Sequence, residues 1–390
     1  MHRIFFFTTG ENFNTRRHIE PGDEPAFTML EITSLLKALF PTSEIRPRYT
    51  AHRIVEADVP AFNASITRFL RRSVSIWQAG TLDFTWIASS NDVEQAIREF
   101  KNAVPGLEEM KQLARGLKGK GNTFAIAQTV HGIPVPKNAD LEIKTAIGSV
   151  IGAESGLHVD LLVPDVSITT IITTNHDPSR KIRFLISFNC TPFHTRGFKA
   201  RIAKNRPAFE IGTMNPPLTS LMVNVSHPPW NRPSLLFDPY CGTGGIIIEA
   251  LARGIASVGV DIDYKCIKGC IANLRYYSSG KKAGFNLLHA STFSLPFRED
   301  LTTSRESTIT VTDPPYGRLE SLKHAPFDKY IEALLRLSRS HAMLCLAIPE
   351  VAIDIVTSLV KKAQGMSIVS MQRKREHAGF TRAILLITSD

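Results

Sequence analysis

Residues Leu236–Ile246 read Leu-Phe-Asp-Pro-Tyr-Cys-Gly-Thr-Gly-Gly-Ile, and this stretch decides the fold class. The apolar residues at 234–237 predict a short strand that ends at Asp238-Pro239. Gly242–Gly245 predicts a tight turn, because glycine adopts backbone angles that other residues avoid. The apolar run that follows predicts a helix. Strand, glycine turn and helix in this order are typical of a doubly wound α/β sheet, which binds cofactors at the carboxyl ends of its strands.

Composition limits the classes of protein that the chain can belong to. A length of 390 residues predicts two or three domains. The net charge of +10 permits contact with nucleic acid without proving it. No apolar run approaches the roughly 20 residues of a membrane span, so we expect a cytoplasmic protein without membrane contact. The five cysteines are scattered without a CxxC pair, which argues against a disulfide framework and a zinc site, and we expect no metal.

The pattern along the chain predicts four parts. Residues 1–95 show the order βαββαβ of a small ferredoxin-like domain, and 96–190 form a second mixed α/β module. Residues 191–210 form a basic linker. Residues 211–390 alternate strands and helices, which predicts a mainly parallel sheet with helices on both faces.

The linker is rich in basic residues, and 196–206 contains no acid. One interpretation is a solvated linker face, and the other is a surface that contacts nucleic-acid phosphates. The candidate RNA-binding residues are Arg196, Lys199, Arg201, Lys204 and Arg206.

An acid follows the glycine turn at the spacing of a nucleotide-like cofactor site. Asp261 ends the next apolar strand, and a carboxylate about 20 residues beyond such a turn commonly accepts ribose hydroxyls. The alternative role for Asp261 is a helix N-cap, although Asp263 suits that role better. The turn lacks the Walker lysine and the G-x-G-x-x-G spacing, which disfavours phosphate binding and NAD. A sulfonium cofactor, S-adenosylmethionine, fits a turn flanked by Asp238, whose alternative role is that of a structural turn residue.

A second motif, Thr312-Asp313-Pro314-Pro315-Tyr316-Gly317, also follows an apolar run. The Asp313 carboxylate and a proline carbonyl can accept both N–H groups of an exocyclic base amine. Tyr316 offers a ring on which the base can stack. A proline-rich turn without chemistry is the alternative, but the glycine turn and Asp261 disfavour it. We therefore predict Asp313, Pro314, Pro315 and Tyr316 as the catalytic residues.

Together these motifs resemble the THUMP-containing tRNA guanosine N2-methyltransferases, most closely those that act on guanosine 10. The resemblance rests on Asp238–Ala250, Gly259–Asp263 and Thr312–Arg318, and it extends more weakly to Gly212–Pro216 and to His158–Val166, which is similar to the end of a THUMP domain. It implies that S-adenosylmethionine is the methyl donor, that 96–190 is a THUMP domain that grips tRNA, and that guanine N2 is the acceptor. It leaves open a small activator subunit, and we favour a monomer.

One departure from the family pattern concerns the third motif. The family usually has Asp-Ala before Leu-Pro, whereas this chain has Ser291-Thr292 before Leu295-Pro296. A serine hydroxyl or a backbone group must then contact the adenine. The predicted cofactor-binding residues are Asp238, Tyr240, Cys241, Gly242, Gly244, Asp261, Ile262, Ser291 and Thr292.

Two other functions compete with this one. An Asp-Pro-Pro-Tyr site serves adenine N6 or cytosine N4 of DNA or RNA equally well, although two N-terminal modules are unusual for a DNA enzyme. A non-catalytic RNA-binding protein with a degenerate methyltransferase fold is the other alternative, and the intact Asp313 and Gly242–Gly245 argue against it.

Overall fold

The computed structural model describes residues 1–8, 26–131, 133–193, 197–210, 212–226, 235–278, 284–295, 308–316, 325–377 and 379–389. The chain divides into two compact units. The first comprises Met1–Met29, Ile45–Arg71 and Ser75–His194, and the second comprises Leu30–Glu44, Arg72–Val74 and Thr195–Asp390.

The first half of the chain alternates strands and helices. They are β1 (His2–Thr8), α1 (Ala26–Leu39), β2 (Arg48–Ala51), β3 (Ile54–Val59), α2 (Ala64–Leu70), β4 (Ile76–Thr81), β5 (Phe84–Ile87), α3 (Val93–Ala103), α4 (Glu108–Arg115), β6 (Thr123–His131), α5 (Ala139–Ser155), β7 (His158–Val159), β8 (Val166–Thr174), β9 (Ile182–Ser187) and β10 (Cys190–Pro192). The order from β1 to β4 is the predicted βαββαβ. The names ferredoxin-like and THUMP, and the boundaries at 95, 190 and 210, stay predictions.

Two sheets form in the first unit. One is antiparallel, with strand order β10-β4-β1-β3-β2. The other has the order β5-β9-β8-β6-β7 and is mixed, because β8, β6 and β7 run parallel. Its core includes Phe100 and Phe184, whose rings stack with centroids 4.2 Å apart. Asp92 caps α3 by accepting a hydrogen bond from the Gln95 amide.

The second half of the chain contains α6 (Phe198–Arg201), α7 (Pro216–Val225), β11 (Leu235–Asp238), α8 (Gly245–Leu251), β12 (Ala256–Asp261), α9 (Tyr264–Ser278), β13 (Phe285–His289), β14 (Thr308–Thr312), α10 (Phe327–Leu337), β15 (Met343–Pro349), α11 (Ile353–Lys362), β16 (Met366–His377) and β17 (Phe380–Ser389). The strands form one sheet in the order β13-β12-β11-β14-β15-β17-β16. The first five strands run parallel, β17 pairs antiparallel with β15, and β16 pairs antiparallel with β17, so the predicted mainly parallel, doubly wound α/β sheet is confirmed.

The order of the strands locates the site. The chain runs from β11 outward through β12 and β13, then returns to place β14 on the other side of β11. Ligands of open α/β sheets bind at such a switch point, outside the carboxyl ends of the strands. The glycine turn follows β11 and Asp313 follows β14, so both predicted motifs lie at this edge.

Buried ion pairs tie early segments of the chain into the second unit. Glu249 of α8 is 1% exposed and pairs with Arg201 at 2.7 Å and with Arg253 at 3.3 Å. Arg253 donates from Nε to the side-chain oxygen of Asn224 at 2.7 Å, and the Asn224 amide donates to Glu31 at 2.6 Å. Glu31 and Arg201 thus supply the partners that buried groups of this unit need.

Candidate active site

The glycine turn has the backbone that its sequence requires. Gly242 has φ +50° and Gly244 has φ +86°, both in the left-handed region that favours glycine. A Cβ at Gly244 would lie 2.6 Å from Cys270 Sγ. Around Gly242, in contrast, no atom of the described residues, apart from its two chain neighbours, lies within 4 Å of such a Cβ. The turn is therefore packed against α9 on one side and open above Gly242.

Asp261 fixes this turn from the neighbouring strand. One carboxylate oxygen accepts the Gly242 amide at 2.8 Å, and the other accepts the Asp263 amide at 2.9 Å. Burial raises the pKa of Asp261, while these two hydrogen bonds oppose the rise. Asp263 in turn accepts the Lys265 amide at 2.7 Å and caps α9. The structure thus gives the N-cap role to Asp263 and leaves Asp261 partly exposed at the sheet edge.

Asp238 joins the two strands that carry the motifs. It is 1% exposed, and its carboxylate accepts the Thr312 hydroxyl at 2.8 Å and the Tyr240 amide at 3.3 Å. Burial is the main cause that raises the pKa of Asp238 to about 7; the hydrogen bonds from Thr312 and Tyr240 oppose the rise, and the charges of Asp261 and Asp313 add to it. Asp238 thus links the end of β11 to the end of β14, and its contact with a cofactor stays a prediction.

The Asp-Pro-Pro-Tyr segment begins directly after β14, and its acid is paired. Both carboxylate oxygens of Asp313 accept from Nη1 of Arg382, at 2.8 and 2.7 Å. The same Nη1 also lies within hydrogen-bonding distance of the Tyr316 hydroxyl. Burial raises the pKa of Asp313, and the Arg382 charge opposes that rise. Burial, followed by the Asp313 charge, also raises the pKa of Tyr316.

Arg382, Glu376 and Phe380, which surround the predicted Asp313 and Tyr316, were not predicted from the sequence. Arg382 lies on β17, and its Nε is 3.8 Å from the Glu376 carboxylate. Its guanidinium lies 5.2 Å from the Phe380 ring centroid and 5.5 Å from that of Tyr316. A cavity of about 440 Å³ is lined by these β16 and β17 residues together with 202–203 and 212–216. Arg382 therefore stands between this cavity and Asp313.

The third motif places one of its two hydroxyls toward the protein. Thr292 is buried and donates to the Pro239 carbonyl at 2.9 Å, so its hydroxyl ties this loop to the glycine turn. Ser291 is partly exposed and stays a candidate for a cofactor contact. Phe293, which the sequence did not single out, is 39% exposed, and Ile262 is 49% exposed. Both apolar side chains lie beyond strand ends at this edge.

The remaining predicted cofactor residues support the turn from inside. Cys241 is buried and its amide donates to the Val260 carbonyl at 2.9 Å. Tyr240 packs edge-on against Tyr330, with ring centroids 5.7 Å apart. Their side chains shape the turn, and contact with a ligand there stays a prediction.

The linker arginines differ from the linker lysines. Arg201 makes two hydrogen bonds to Glu249, at 2.7 and 3.2 Å, and Arg206 is 6% exposed and donates to the Arg201 carbonyl at 2.8 Å. Guanidinium groups held in this way cannot reach a phosphate, so the prediction for these two residues is corrected to a structural role. Lys199 and Lys204 are exposed and stay candidates. Arg196 lies outside the described residues.

The edge suits S-adenosylmethionine in its shape and donor set. The open space above Gly242 would admit a ligand, whereas a side chain at this position would enter that space. Each Asp261 oxygen accepts one amide and keeps a lone pair, which leaves two acceptors for two ribose hydroxyls. Ile262 and Phe293 offer apolar surface for an adenine ring. The residues present thus fit the group.

Two negative findings concern the described part of the chain. None of its helices combines the length and the apolar character needed to cross a membrane. Nor does it hold three or more His, Cys, Asp or Glu side chains grouped as a metal site.

Comparison with known proteins agrees with this geometry. Residues 203–352 match the family described as RMKL-like, methyltransferase domain. The tRNA (guanine(10)-N2)-dimethyltransferase of Methanothermobacter thermautotrophicus is 29% identical over 249 residues, which cover 63% of this chain and 68% of that protein. The enzyme of the same name from Methanocaldococcus jannaschii is 29% identical over 269 residues, or 66% and 69% of the two chains. That from Pyrococcus abyssi is 27% identical over 290 residues, or 73% and 78%.

The matched residues 203–352 contain both the glycine turn and the Asp-Pro-Pro-Tyr segment. Over residues 203–352 the chain is therefore similar to the RMKL-like methyltransferase domain family.

Proposed function

We propose that this protein transfers a methyl group from S-adenosylmethionine to the exocyclic N2 amine of a guanosine in tRNA, at position 10. The observation that carries the proposal is the 2.8 Å bond between Thr312 and Asp238, which holds the glycine turn and Asp313 at adjacent strand ends. The names of the archaeal relatives support tRNA and guanine 10 as the substrate. The cytoplasmic location, the monomeric state and the activator subunit stay predictions from the sequence.

The chemistry assigns separate tasks to the two strand ends. When bound, S-adenosylmethionine supplies a sulfonium methyl and leaves as the neutral thioether. Asp261 would hold the ribose, with Ser291 and the turn backbone positioning the rest. Asp313 and a carbonyl of Pro314-Pro315 would accept the two N–H groups of the amine, which directs its lone pair toward the methyl. Once the N–C bond has formed, the nitrogen becomes acidic and gives up a proton, for which Asp313 is the nearest base.

The base must leave the folded tRNA to reach this edge. Turning a base out of a stack costs a few kcal/mol, so the rest of the tRNA must be held elsewhere. Exposed Lys199 and Lys204 supply positive charge for that purpose, together with the residues before 190.

The proposal is tested by methylation of tRNA transcripts followed by mass spectrometry of the nucleosides. Transcripts with guanosine or adenosine at position 10, and duplex DNA, separate guanine N2 from the other amines. The mass also shows whether one or two methyl groups are added. Methylated adenine or cytosine, or no product from any substrate, would contradict the proposal.

Asp313→Ala provides the matching test of the site. We expect methyl transfer to fall by about 10²–10³, as on loss of one preorganised polar group. The dissociation constant of S-adenosylmethionine should stay the same, because Asp313 faces the base. Near-normal turnover would remove Asp313 from the reaction.

A further inference from the structure

The amine-accepting oxygens of Asp313 already have a partner. Nη1 of Arg382 contacts both of them, and the two side chains are only 7% and 19% exposed. The base amine needs one of these oxygens, and a charge-assisted bond is stronger than one from a neutral amine. While Arg382 stays in this position, the amine must therefore compete with the guanidinium for Asp313.

The stacking face of the site is covered in the same way. The Phe380 ring lies 6.0 Å from the Tyr316 ring, centroid to centroid, at an interplanar angle of 22°. Phe380 and Arg382 are two residues apart on β17 and therefore share a face of that strand. One places an aromatic ring on Tyr316, and the other places an N–H group on Asp313. Together they make the two contacts that a base with an exocyclic amine would make.

We propose that Arg382 is a positioning residue that, with Phe380, occupies the place of the target base, and that the base enters by exchanging with the Arg382 guanidinium on Asp313. This inference rests on the proposed function. The inference adds a specific event to that function: the Arg382 guanidinium moves from Asp313 to a second partner.

Glu376 is the second partner that the structure offers. Its carboxylate is 3.8 Å from Arg382 Nε, and both side chains line the cavity of about 440 Å³. The exchange would move the guanidinium from one carboxylate to another without leaving a charge unpaired. The exchange would also remove a cation from Asp313. This carboxylate then faces the amine, which becomes positive during methyl transfer.

The exchange predicts a dependence on pH. Among the described residues, the titratable and charged groups near Asp313 are Asp238 on β11, Tyr316, Glu376 on β16 and Arg382. Burial raises the pKa of Asp313, and only Arg382 brings a positive charge against that rise. In the free enzyme, whose groups determine the pH dependence of kcat/KM, the carboxyl without Arg382 would hold its proton to higher pH. A protonated Asp313 has one acceptor fewer for the amine.

The test measures kcat/KM for tRNA from pH 6 to pH 9 with the full chain. For Arg382→Gln, we expect kcat/KM relative to that of wild type to rise about tenfold or more from pH 6 to pH 9, because the carboxyl loses its neighbouring cation. Arg382→Lys should keep the wild-type pH profile. The control is Arg373→Gln on β16, which also removes one positive charge. Arg373 is 55% exposed and pairs with Glu350 at 2.9 Å, so its loss should leave the profile unchanged.

A second variant tests the place to which Arg382 moves. Glu376→Gln removes the receiving carboxylate, so the exchanged state becomes rarer and KM for tRNA should rise about fivefold or more. The dissociation constant of S-adenosylmethionine should not change. A KM equal to that of wild type would exclude Glu376 as the partner.

Two results would overturn the proposal. A relative rate of Arg382→Gln that is constant across the pH range would show that Arg382 does not act on Asp313. A rate near zero at every pH, in a variant that still binds S-adenosylmethionine, would show that Arg382 takes part in the reaction itself.

A measurement without substrate separates this proposal from the proposed function. Infrared titration of the Asp313 carboxyl, identified with Asp313→Asn, should give a higher midpoint in Arg382→Gln than in wild type. If wild type methylates no tRNA, this comparison still decides whether Arg382 controls Asp313. An equal midpoint in the two proteins would contradict that control.

Discussion

Asp261 performs two tasks with one carboxylate. Its oxygens accept the Gly242 and Asp263 amides, at 2.8 and 2.9 Å, and thereby hold the glycine turn against the end of β12. Each oxygen keeps a second acceptor position that faces the open edge. The residue that would bind the cofactor is also the residue that shapes the turn beside it.

Asp261→Ala should therefore weaken cofactor binding. The loss of charge-assisted hydrogen bonds to the ribose should reduce the affinity for S-adenosylmethionine by about 1.5–3 kcal/mol, measured by calorimetry. Asp263→Ala is the control, because it removes the cap of α9 and should cost about 1 kcal/mol of stability without changing that affinity. An unchanged dissociation constant for Asp261→Ala would limit this residue to its structural role.

Asp238 makes stability depend on pH. In an unfolded chain the pKa of aspartate is about 3.9, whereas burial raises it to about 7 here. Between these values the folded protein holds a proton that the unfolded chain has lost, so stability from this residue is present at low pH and is lost as pH rises to 7. From pH 5 to pH 8, the free energy of unfolding of wild type should fall by about 2–3 kcal/mol relative to Asp238→Asn. Urea unfolding of both proteins measures this difference, and equal pH dependence would contradict it.

At the scale of elements, the junction between the glycine turn and α8 permits little variation in side-chain size. Helix α8 begins directly after Gly244, and residues Ile246–Leu251 are all buried. The close approach of Gly244 to Cys270 sets the distance between α8 and α9. A larger residue at 244 must strain the backbone and push the two helices apart.

Gly244→Ala should destabilise the protein by about 2 kcal/mol or more, from the left-handed backbone and the contact with sulfur. Cys270→Ala in the same chain should recover part of the loss, because it removes the sulfur. Gly242→Ala serves as the comparison and should cost only about 1 kcal/mol, since it adds backbone strain without a collision. Thermal melting of wild type and the three variants measures these losses of stability. Equal losses at positions 242 and 244 would disprove the packing argument.

The elements that the sequence predicted are those with a local signal. The glycine turn, the Asp263 cap and the parallel strands each leave a pattern within about ten residues, and all three are confirmed. Strand β16 carries no such pattern, because its second half reads Gln-Arg-Lys-Arg-Glu-His, without apolar alternation. It forms the edge of the sheet, where charged residues are usual.

The contacts of Asp313 leave no such local signal. Arg382 follows Asp313 by 69 residues and reaches it only because β17 pairs antiparallel to β15, with Arg382 opposite Pro349. The burial of Arg201 and Arg206 was missed for the same reason, since a basic run looks solvated until its acidic partner is known. In this chain, the acid of the site was predictable and its cation was not.

At the scale of the whole molecule, the methyltransferase domain depends on segments that precede it in sequence. A fragment that begins at residue 211 would lack Arg201 and Glu31, which hold Glu249 and Asn224. Removing one partner of a buried ion pair costs about 3–5 kcal/mol. Tests of RNA binding therefore belong in the full chain, with substitutions at exposed positions.

Lys199→Ala combined with Lys204→Ala should weaken tRNA binding. The slope of the logarithm of the binding constant against the logarithm of the salt concentration should fall in magnitude by about one to two, the value for two lost phosphate contacts. Lys361→Ala with Lys362→Ala removes the same charge from two exposed positions at the end of α11 and should leave the slope unchanged. Binding is measured across a range of salt concentrations. Equal slopes for the two double variants would show that the linker lysines contact no phosphate.

The bond between Thr312 and Asp238 has a consequence for substrate choice. Strands β11 and β14 pair in register from Leu235 opposite Thr308 to Phe237 opposite Thr310, and the buried bond continues that ladder to the sheet edge. The span from donor side to acceptor side is thus set when the chain folds. A fixed distance between the two sides favours some amines over others. An amine on a fully extruded nucleotide reaches the methyl group, and an amine on a partly turned base does not. Discrimination among nucleotides then depends on how readily each position in the tRNA can be opened.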